Sequence, residues 1–252
     1  MTQNCPQPPT LTLLIPVYEE KENILHFIEK VVELVTVPFK ALIIYDREDD
    51  TTLVYQDRIE SRYPHIRFVK NLYKPGVVTA FRTGFKLAET EYIVPIMADL
   101  SDDPAQINEM VALIQNDFDL VVCSRYMAGG AKIGGPPFKG FLSRVANKSL
   151  HALSGIPTHD FSNAFIMYRS EVVKSLRVES SGGFEITMEI IAKAFRRGLR
   201  ITEIPTVNYD RAGGLSKFQT IRWMGKYLNW YLYILYYATL KRLGIRIQPQ
   251  RH

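Results

Sequence analysis

Cysteine is scarce in this chain: Cys5 and Cys123 are its only two in 252 residues. Two thiols at that separation build neither a disulfide framework nor a zinc site, and Cys123, inside an apolar run, reads as a small core residue. No run approaches the roughly 20 apolar residues that a spanning helix needs. The opening stretch 1–9 is polar and proline-bearing, with no basic region followed by an apolar one, so no secretory leader is expected and the cytoplasm is the expected compartment. A G-x-G-x-x-G after a strand, a Walker A lysine loop, a G-x-S-x-G elbow and an HExxH helix are all missing, and the five histidines do not cluster. Dinucleotide, P-loop, serine-hydrolase and zinc-protease chemistry thereby lose their main support. Internal repeats and low-complexity segments are missing too.

Charge is present, but unevenly. The net charge is +5, yet residues 1–120 hold 19 Asp+Glu against 11 Lys+Arg, while 121–252 hold 7 against 20. An acidic first half and a basic second half suit a metal–nucleotide site joined to a surface that meets phosphates or anionic lipid. Nucleic acid is disfavoured, because the aromatics gather in one tail instead of interleaving with basic residues along a sheet. With 46% hydrophobic residues, a chain of this length can bury one large core, and one α/β domain with a tail is the simplest fit.

The apolar run 11–17 is too short for a helix and reads as a buried strand. Ile24, Phe27, Ile28, Val31, Val32 and Val35 recur at helical spacing behind it. A second strand, 41–45, ends at Asp46; a helix over 52–61, a strand at 66–69 and a helix from Gly76 to about 88 follow. The next strand, 93–97, runs into Ala98-Asp99-Leu100-Ser101-Asp102-Asp103-Pro104. This β-α-β-α order predicts a mostly parallel sheet with helices on both faces. Asp103 before Pro104 matches an N-cap with proline at the first helical position. Asp99 stands ahead of that cap, where open α/β sheets place their ligands, and is the first candidate for chemistry.

Further on, a strand at 119–123 ends at Ser124-Arg125-Tyr126, followed by a loop rich in glycine and proline (129–137) of the kind that closes over ligands. A helix over 138–153 carries Lys139, Arg144 and Lys148. A polar turn, 158–163, and a strand to Tyr168 come next. In a helix over 184–195, Glu185 and Glu189 lie one turn apart and read as a solvated face. A strand at 200–205 leads to a basic loop, 209–217. In the tail, 14 uncharged residues between Lys226 and Lys241 include Trp230, Tyr231, Tyr233, Tyr236 and Tyr237. With Arg222, Lys226, Lys241, Arg242 and Arg246 around them, they suit a helix lying at the headgroup level of a membrane. A dimer interface and a helix packed on its own sheet are the competing readings.

Six stretches now fall in order: Ile15-Pro16-Val17-Tyr18-Glu19-Glu20-Lys21-Glu22-Asn23-Ile24, the strand ending at Asp46, 98–104, Ser124-Arg125-Tyr126, 160–165, and Arg211 with Ser216-Lys217. Together they resemble the dolichyl-phosphate mannose synthase-like branch of family 2 glycosyltransferases, from about residue 11 to 218. The resemblance implies a GT-A fold and inverting transfer of a sugar from a GDP- or UDP-linked donor to a polyprenyl phosphate. It implies that Pro16, Tyr18, Glu20, Asp46, Gly76 and Ala98 bind the nucleotide, and that Asp99 with Ser101 holds Mg²⁺ or Mn²⁺. It also implies that Arg125, Arg211 and Lys217 surround the diphosphate, that Lys139 and Arg144 meet the acceptor phosphate, and that Asp160 belongs to the catalytic set. The implied organisation is a flexible start (1–10), a GT-A domain (11–217) and a membrane-interface helix with its tail (218–252), peripheral on the membrane. Tail helices of this kind pair, so a homo-oligomer is a further partner to consider.

The sequence departs from the family pattern where Met97 stands for the first aspartate of the metal motif and Ser101 for a glutamine. Tyr45 and Arg47 replace the usual aspartate and glycine beside Asp46. A phosphate monoester acceptor, with its second pKa near 6 (about), is already ionised at neutral pH and needs no strong base. A sugar or protein hydroxyl would need one, with Asp160 or Glu185 as candidates. A non-catalytic nucleotide or lipid binder is the third reading, motivated by Met97.

Overall fold

The computed structural model describes residues 10–210 and 220–245. Arg211 and Lys217, like Arg246 and Cys5, lie outside the described residues, as does the side chain of Arg222. In chain order the elements are β1 (Leu11–Pro16), α1 (Ile24–Leu34), β2 (Phe39–Tyr45), a 3-10 turn (Thr51–Tyr55), α2 (Gln56–Arg62), β3 (Ile66–Lys70), α3 (Val77–Leu87) and β4 (Tyr92–Pro95). Then come α4 (Gln106–Ile114), β5 (Leu120–Ser124), β6 (Ala131–Ile133), α5 (Pro137–Ser154), β7 (Ile166–Arg169), α6 (Ser170–Ser175), α7 (Glu185–Arg196), β8 (Ile201–Pro205), β9 (Val207–Tyr209) and α8 (Thr220–Arg242).

Seven strands form one sheet in the order β3-β2-β1-β4-β7-β5-β8, and β6 pairs with β9 in a separate ribbon. All the neighbours in the large sheet are parallel except β7, which runs antiparallel to both β4 and β5. The expected mostly parallel sheet is therefore present, and β7 is the exception. Side chains alternate across β1: Leu11, Leu13 and Ile15 join a core with α1, α2 and α4, whereas Leu14 turns to a second core with α3, α5, α6 and α7. Helices cover both faces. At Gly84 the fit is so close that a Cβ would collide with the Leu14 side chain, so only glycine lets α3 lie this near β1.

The sheet also separates the two charge halves. Residues up to 120 supply β3, β2, β1 and β4, and later residues supply β7, β5 and β8. The acidic half of the sequence thus supplies one side of the sheet and the basic half the other, meeting where β4 pairs with β7.

Two expectations shift. α4 begins at Gln106, later than Pro104, but Asp103 still serves the helix start: its Oδ1 accepts from the Ala105 amide at 3.0 Å. Glu185 and Glu189 are fully buried, so α7 has no solvated face there. Glu185 accepts from the amides of Gly182 (2.7 Å) and Gly183 (2.5 Å), and Glu189 from those of Glu179 (2.6 Å) and Ser180 (2.8 Å). Both carboxylates tie down the loop ahead of α7, with Lys193 closing the Glu189 pair at 2.6 Å.

The tail helix packs on its own domain. Ile234 is part of the second core, and Tyr227, Trp230, Tyr231 and Tyr233 pack against it. Lys193 lies over the Trp230 ring and Arg196 over the Tyr237 ring. Among the described residues no helix is long and apolar enough to cross a membrane.

Candidate active site

The first wall of the crevice is built by the loops after β1 and β2. Asp50 fastens them together: its carboxylate accepts from the Glu19 amide (3.2 Å) and the Thr52 amide (2.9 Å), while the Thr52 hydroxyl accepts from the Glu20 amide (3.0 Å). Glu19 adopts φ 54°, a conformation unusual for a side chain this size, and the two Asp50 contacts hold it there. Nothing in the local sequence marks Asp50, because the Glu19 amide it holds is 31 residues away. Tyr18 stands 44% exposed at the mouth of this wall. Glu20 is buried and accepts from the Asn23 side chain at 2.9 Å.

Asp46, one residue past β2, grips the start of α3. Its Oδ2 accepts from the Gly76 amide at 2.9 Å and its Oδ1 from Asn71 Nδ2 at 2.8 Å. Gly76 has φ 142°, open only to glycine, so its place at the head of α3 is a backbone requirement. Asp46 and Gly76, far apart in the sequence, are thus one hydrogen-bonded unit.

At the centre, just past β4, the Ile96 amide donates a hydrogen bond to the Leu14 carbonyl (2.9 Å). Met97 packs towards the second core and Ala98 is buried in the first, leaving only the Ala98 backbone for a ligand. Asp99 follows, half-buried, its Oδ1 accepting from the Ser101 amide at 3.1 Å over Leu100 at φ 60°. Asp102 is buried behind it and accepts from Asn208 Nδ2 on β9 at 2.9 Å. Burial pushes the Asp102 carboxyl up to about 6, against the Asn208 hydrogen bond and the charge of Arg125, with Asp99 and Asp160 adding to the rise.

The second wall is basic. Arg125, just past β5, donates from Nε to Asp160 Oδ2 (2.7 Å) and from Nη2 to Asp160 Oδ1 (3.0 Å) and Ser162 Oγ (2.9 Å). Burial pulls the guanidinium down, but the charge and hydrogen bonds of Asp160 outweigh it and hold Arg125 above its ordinary value. The fully buried Asp160 also accepts from its neighbours' amides, Ser162 and Asn163, each at 3.1 Å. A carboxylate so occupied positions Arg125; it has no lone pair set aside for a substrate proton. Of the two base candidates for a hydroxyl acceptor, Asp160 is thus occupied by Arg125 and neighbouring amides, and Glu185 by two amides.

Lys132 on β6 was not singled out from the sequence, where it is a lone lysine between glycine pairs. In the fold its register partner is Asn208, the residue that holds Asp102. Burial lowers its pKa, and the charges of Arg125 and Lys139 lower it further, while Asp210 opposes them. Arg125, Lys132 and Lys139 therefore form one cation group. Arg144 is exposed on α5 and lies about 140° around the helix from Lys139, so the two do not point to one spot.

The glycines of this loop have work to do at two places. A Cβ on Gly130 would strike the Ser124 carbonyl and the Arg125 backbone, and one on Gly135 would strike the Asp210 carboxylate at φ 77°. Among the described residues no group of three or more His, Cys, Asp and Glu side chains could cage a metal ion. A lone Asp99 carboxylate still fits a Mg²⁺-type ion, which commonly takes one or two carboxylates and fills its shell with water and substrate phosphate oxygens. A cavity of about 560 Å³ between β2, β3 and the end of α3, lined by Lys40, Glu60, Arg67 and Glu89, is separate from this crevice.

Comparison with known proteins gives the same family from two directions. The family model described as Glycosyl transferase family 2 matches residues 12–177. A dolichol-phosphate mannosyltransferase of Pyrococcus furiosus is 26% identical over 231 residues, covering 87% of this chain and 64% of that protein. This chain thus spans about two thirds of the archaeal relative's length. A polyprenol monophosphomannose synthase of Mycolicibacterium smegmatis is 26% identical over 211 residues, covering 81% of this chain and 79% of that protein. Among solved structures, glucosyl-3-phosphoglycerate synthase of Mycobacterium tuberculosis with UDP matches at TM-score 0.64 and 17% identity, covering 95% of this chain and 82% of that one. The same enzyme has been solved with Mn²⁺, UDP and glucosyl-3-phosphoglycerate, and superposes equally well. These likenesses establish the fold.

Proposed function

The chain belongs to glycosyl transferase family 2, and we propose that it transfers a sugar, with inversion, from a GDP- or UDP-linked donor to a polyprenyl phosphate at a membrane surface. The observation that carries this reading is the polarity of the crevice, with Asp46, Asp99 and the Asp50-pinned loops on one side and Arg125, Lys132 and Lys139 on the other. A nucleoside diphosphate and an acceptor phosphate bring the charges that such a cleft would neutralise. The names of the archaeal and mycobacterial relatives support a lipid-phosphate acceptor.

In this reading Pro16, Tyr18, Glu20, Asp46, Gly76 and the Ala98 backbone hold the nucleoside. Asp99, with Ser101 beside it, would hold Mg²⁺ or Mn²⁺, which when bound neutralises charge on the departing diphosphate. Arg125 faces the same diphosphate, rigidly held by Asp160; Arg211 and Lys217 are assigned to it from the motif order alone. Lys139, with Lys132 near it, attracts the acceptor phosphate, and Arg144, on another side of α5, is assigned to it from the resemblance alone. The acceptor oxygen is already anionic, so the chain needs to orient it and exclude water, not to remove a proton. Residues 11–217 form the transferase unit and 218–252 the tail that adjoins it, with the protein peripheral on the cytoplasmic side of a membrane.

A hydroxyl acceptor is the weaker reading, because Asp160 and Glu185 are both saturated by donors. The decisive experiment is incubation with a panel of nucleotide-sugars and a short polyprenyl phosphate, with and without Mg²⁺ or Mn²⁺. Transfer to the lipid phosphate supports the proposal. No transfer and no nucleotide release with any donor overturns it in favour of a binding protein.

A further inference from the structure

The sequence directs attention to the aromatic tail, but most of those rings are turned inward. The outward apolar row is on α5. Phe138, Phe141, Leu142 and Val145 are 78%, 64%, 45% and 47% exposed, and their i, i+3, i+4, i+7 spacing puts them on one side of the helix. The buried residues of α5, Asn147, Leu150 and Ser154, take the opposite side. α8 packs beside α5, with the Tyr231 hydroxyl 2.9 Å from Ser149 Oγ. It adds an exposed row of its own: Leu228, Leu232 and Tyr236, at 53%, 55% and 59%. Exposed apolar rows on two helices packed against each other mark an interaction site.

Charge decides what covers it. Neither 137–154 nor 220–242 contains a single Asp or Glu, while Lys139, Arg144 and Lys148 flank the α5 row and Lys241 and Arg242 close α8. Two such faces from separate copies would bring cations against cations, so a second copy is a poor occupant. A helix with an apolar face, basic flanks and no carboxylates suits the headgroup region of an anionic bilayer, where it lies in the plane without crossing. The inner side of α5 is bolted to the crevice: Tyr126 donates to Ser143 Oγ (2.9 Å), and Asn147 accepts from the Phe161 amide (2.6 Å) and donates to Ser162 Oγ (3.2 Å). Whatever α5 rests on is therefore held at a fixed distance from Arg125 and Asp160.

We propose that the outer face of α5, continued by Leu228, Leu232 and Tyr236 of α8, docks on an anionic bilayer, with Phe138 and Phe141 as the inserted side chains. The purpose of this docking rests on the lipid-phosphate acceptor proposed above, but its test does not. The full chain is floated with phosphatidylcholine vesicles, with and without phosphatidylglycerol, at low and high salt. The wild type is expected to bind the anionic vesicles and to be weakened by salt, and F138S/F141S to lower that partition by about tenfold or more. Lys148→Glu is expected to weaken binding to anionic vesicles only. Both variants replace exposed side chains, and an unchanged unfolding curve verifies their fold.

Unchanged partition of F138S/F141S, or a wild type that binds neither vesicle, overturns the inference. So does light scattering that shows a dimer broken by F138S/F141S together with an absence of vesicle binding. Transfer to a short polyprenyl phosphate free in solution separates this from the reading above. Loss of vesicle binding with retained soluble transfer supports both, and α5-dependent docking with no transfer to any acceptor supports docking while overturning the lipid-phosphate acceptor.

Discussion

Arg125 and Asp160 meet fork to fork, Nε to Oδ2 at 2.7 Å and Nη2 to Oδ1 at 3.0 Å, although they come from loops 35 residues apart on either side of α5. Planar, two-bond pairing fixes the guanidinium's direction as well as its place, which a lysine could not reproduce. Asp160→Asn is expected to remove most transferase activity and to cost about 3–5 kcal/mol of stability, since it strands a buried cation. Chemical denaturation and steady-state rates check both parts. Asp160→Asn with full activity would return Asp160 to a purely structural role.

Asp99 is the half-buried carboxylate of the acidic turn, whereas Asp102 is buried against Asn208 and Asp103 serves the start of α4. Asp99→Ala is expected to lower transfer by about 10³-fold or more, the scale of losing a main electrostatic anchor. Met97→Asp is expected to strengthen metal binding at most. Isothermal titration of Mn²⁺ in the presence of nucleotide, alongside rates, reads the two variants; full activity in Asp99→Ala would show the site is misplaced.

Lys132 carries an electrostatic penalty in the unliganded protein. Its pKa is lowered by burial and by Arg125, so the fold favours the neutral amine. That preference stabilises the protein only above the ordinary lysine value and is lost as pH falls through the lowered one. Wherever the lysine is protonated, the penalty is present. Lys132→Gln is therefore expected to raise stability at neutral pH by about 0.5 kcal/mol, as for a partly solvated charge contact, while weakening nucleotide or acceptor-phosphate binding. Melting curves with and without nucleotide check the opposed signs. Binding by the wild type should also weaken at alkaline pH, as the cation is lost.

Gly130→Ala tests the packing under Arg125. The added methyl collides with the Ser124 carbonyl and the Arg125 backbone, and neither is the end of a flexible chain. A loss of about 1–3 kcal/mol is expected, with a fall in kcat larger than any rise in KM if Arg125 is displaced from the reacting diphosphate. Gly140→Ala, where nothing lies within 4 Å, should leave kcat and KM unchanged and, inside α5, raise stability by about 0.5–1 kcal/mol.

The alternation of strands and helices was legible because each of β1, β2, β3 and β5 is a short apolar run between turn signals, and α1 and α3 keep a 3.6-residue apolar period. The position of β7 between β4 and β5 was not, since nothing within Ile166–Arg169 encodes which strands it will meet. β6 and β9, three residues each, are too short to carry a period. At the site, Asp46, Asp99 and Arg125 stood out as charges at strand ends. Asp50 and Lys132 did not, because their partners come from other loops. Glu185 and Glu189 show the converse error: their spacing resembles a solvated face, but their partners are the amides of the preceding loop, invisible to residue pattern. In α8 the aromatic count was right and its direction was not, as Arg196 and Lys193 on α7 draw the rings inward.

The antiparallel β7 also bears on how the chain can be cut. A strand from the basic half is wedged against β4 of the acidic half, and Arg169 at its end ties down the Phe118 and Ile114 carbonyls at 3.0 and 2.9 Å. Neither half can be separated without baring an edge of the sheet, so a fragment stopping before Ile166 would expose β4 and self-associate. The two halves, though opposite in charge, share one hydrogen-bonded sheet, so a single calorimetric transition is the expected outcome.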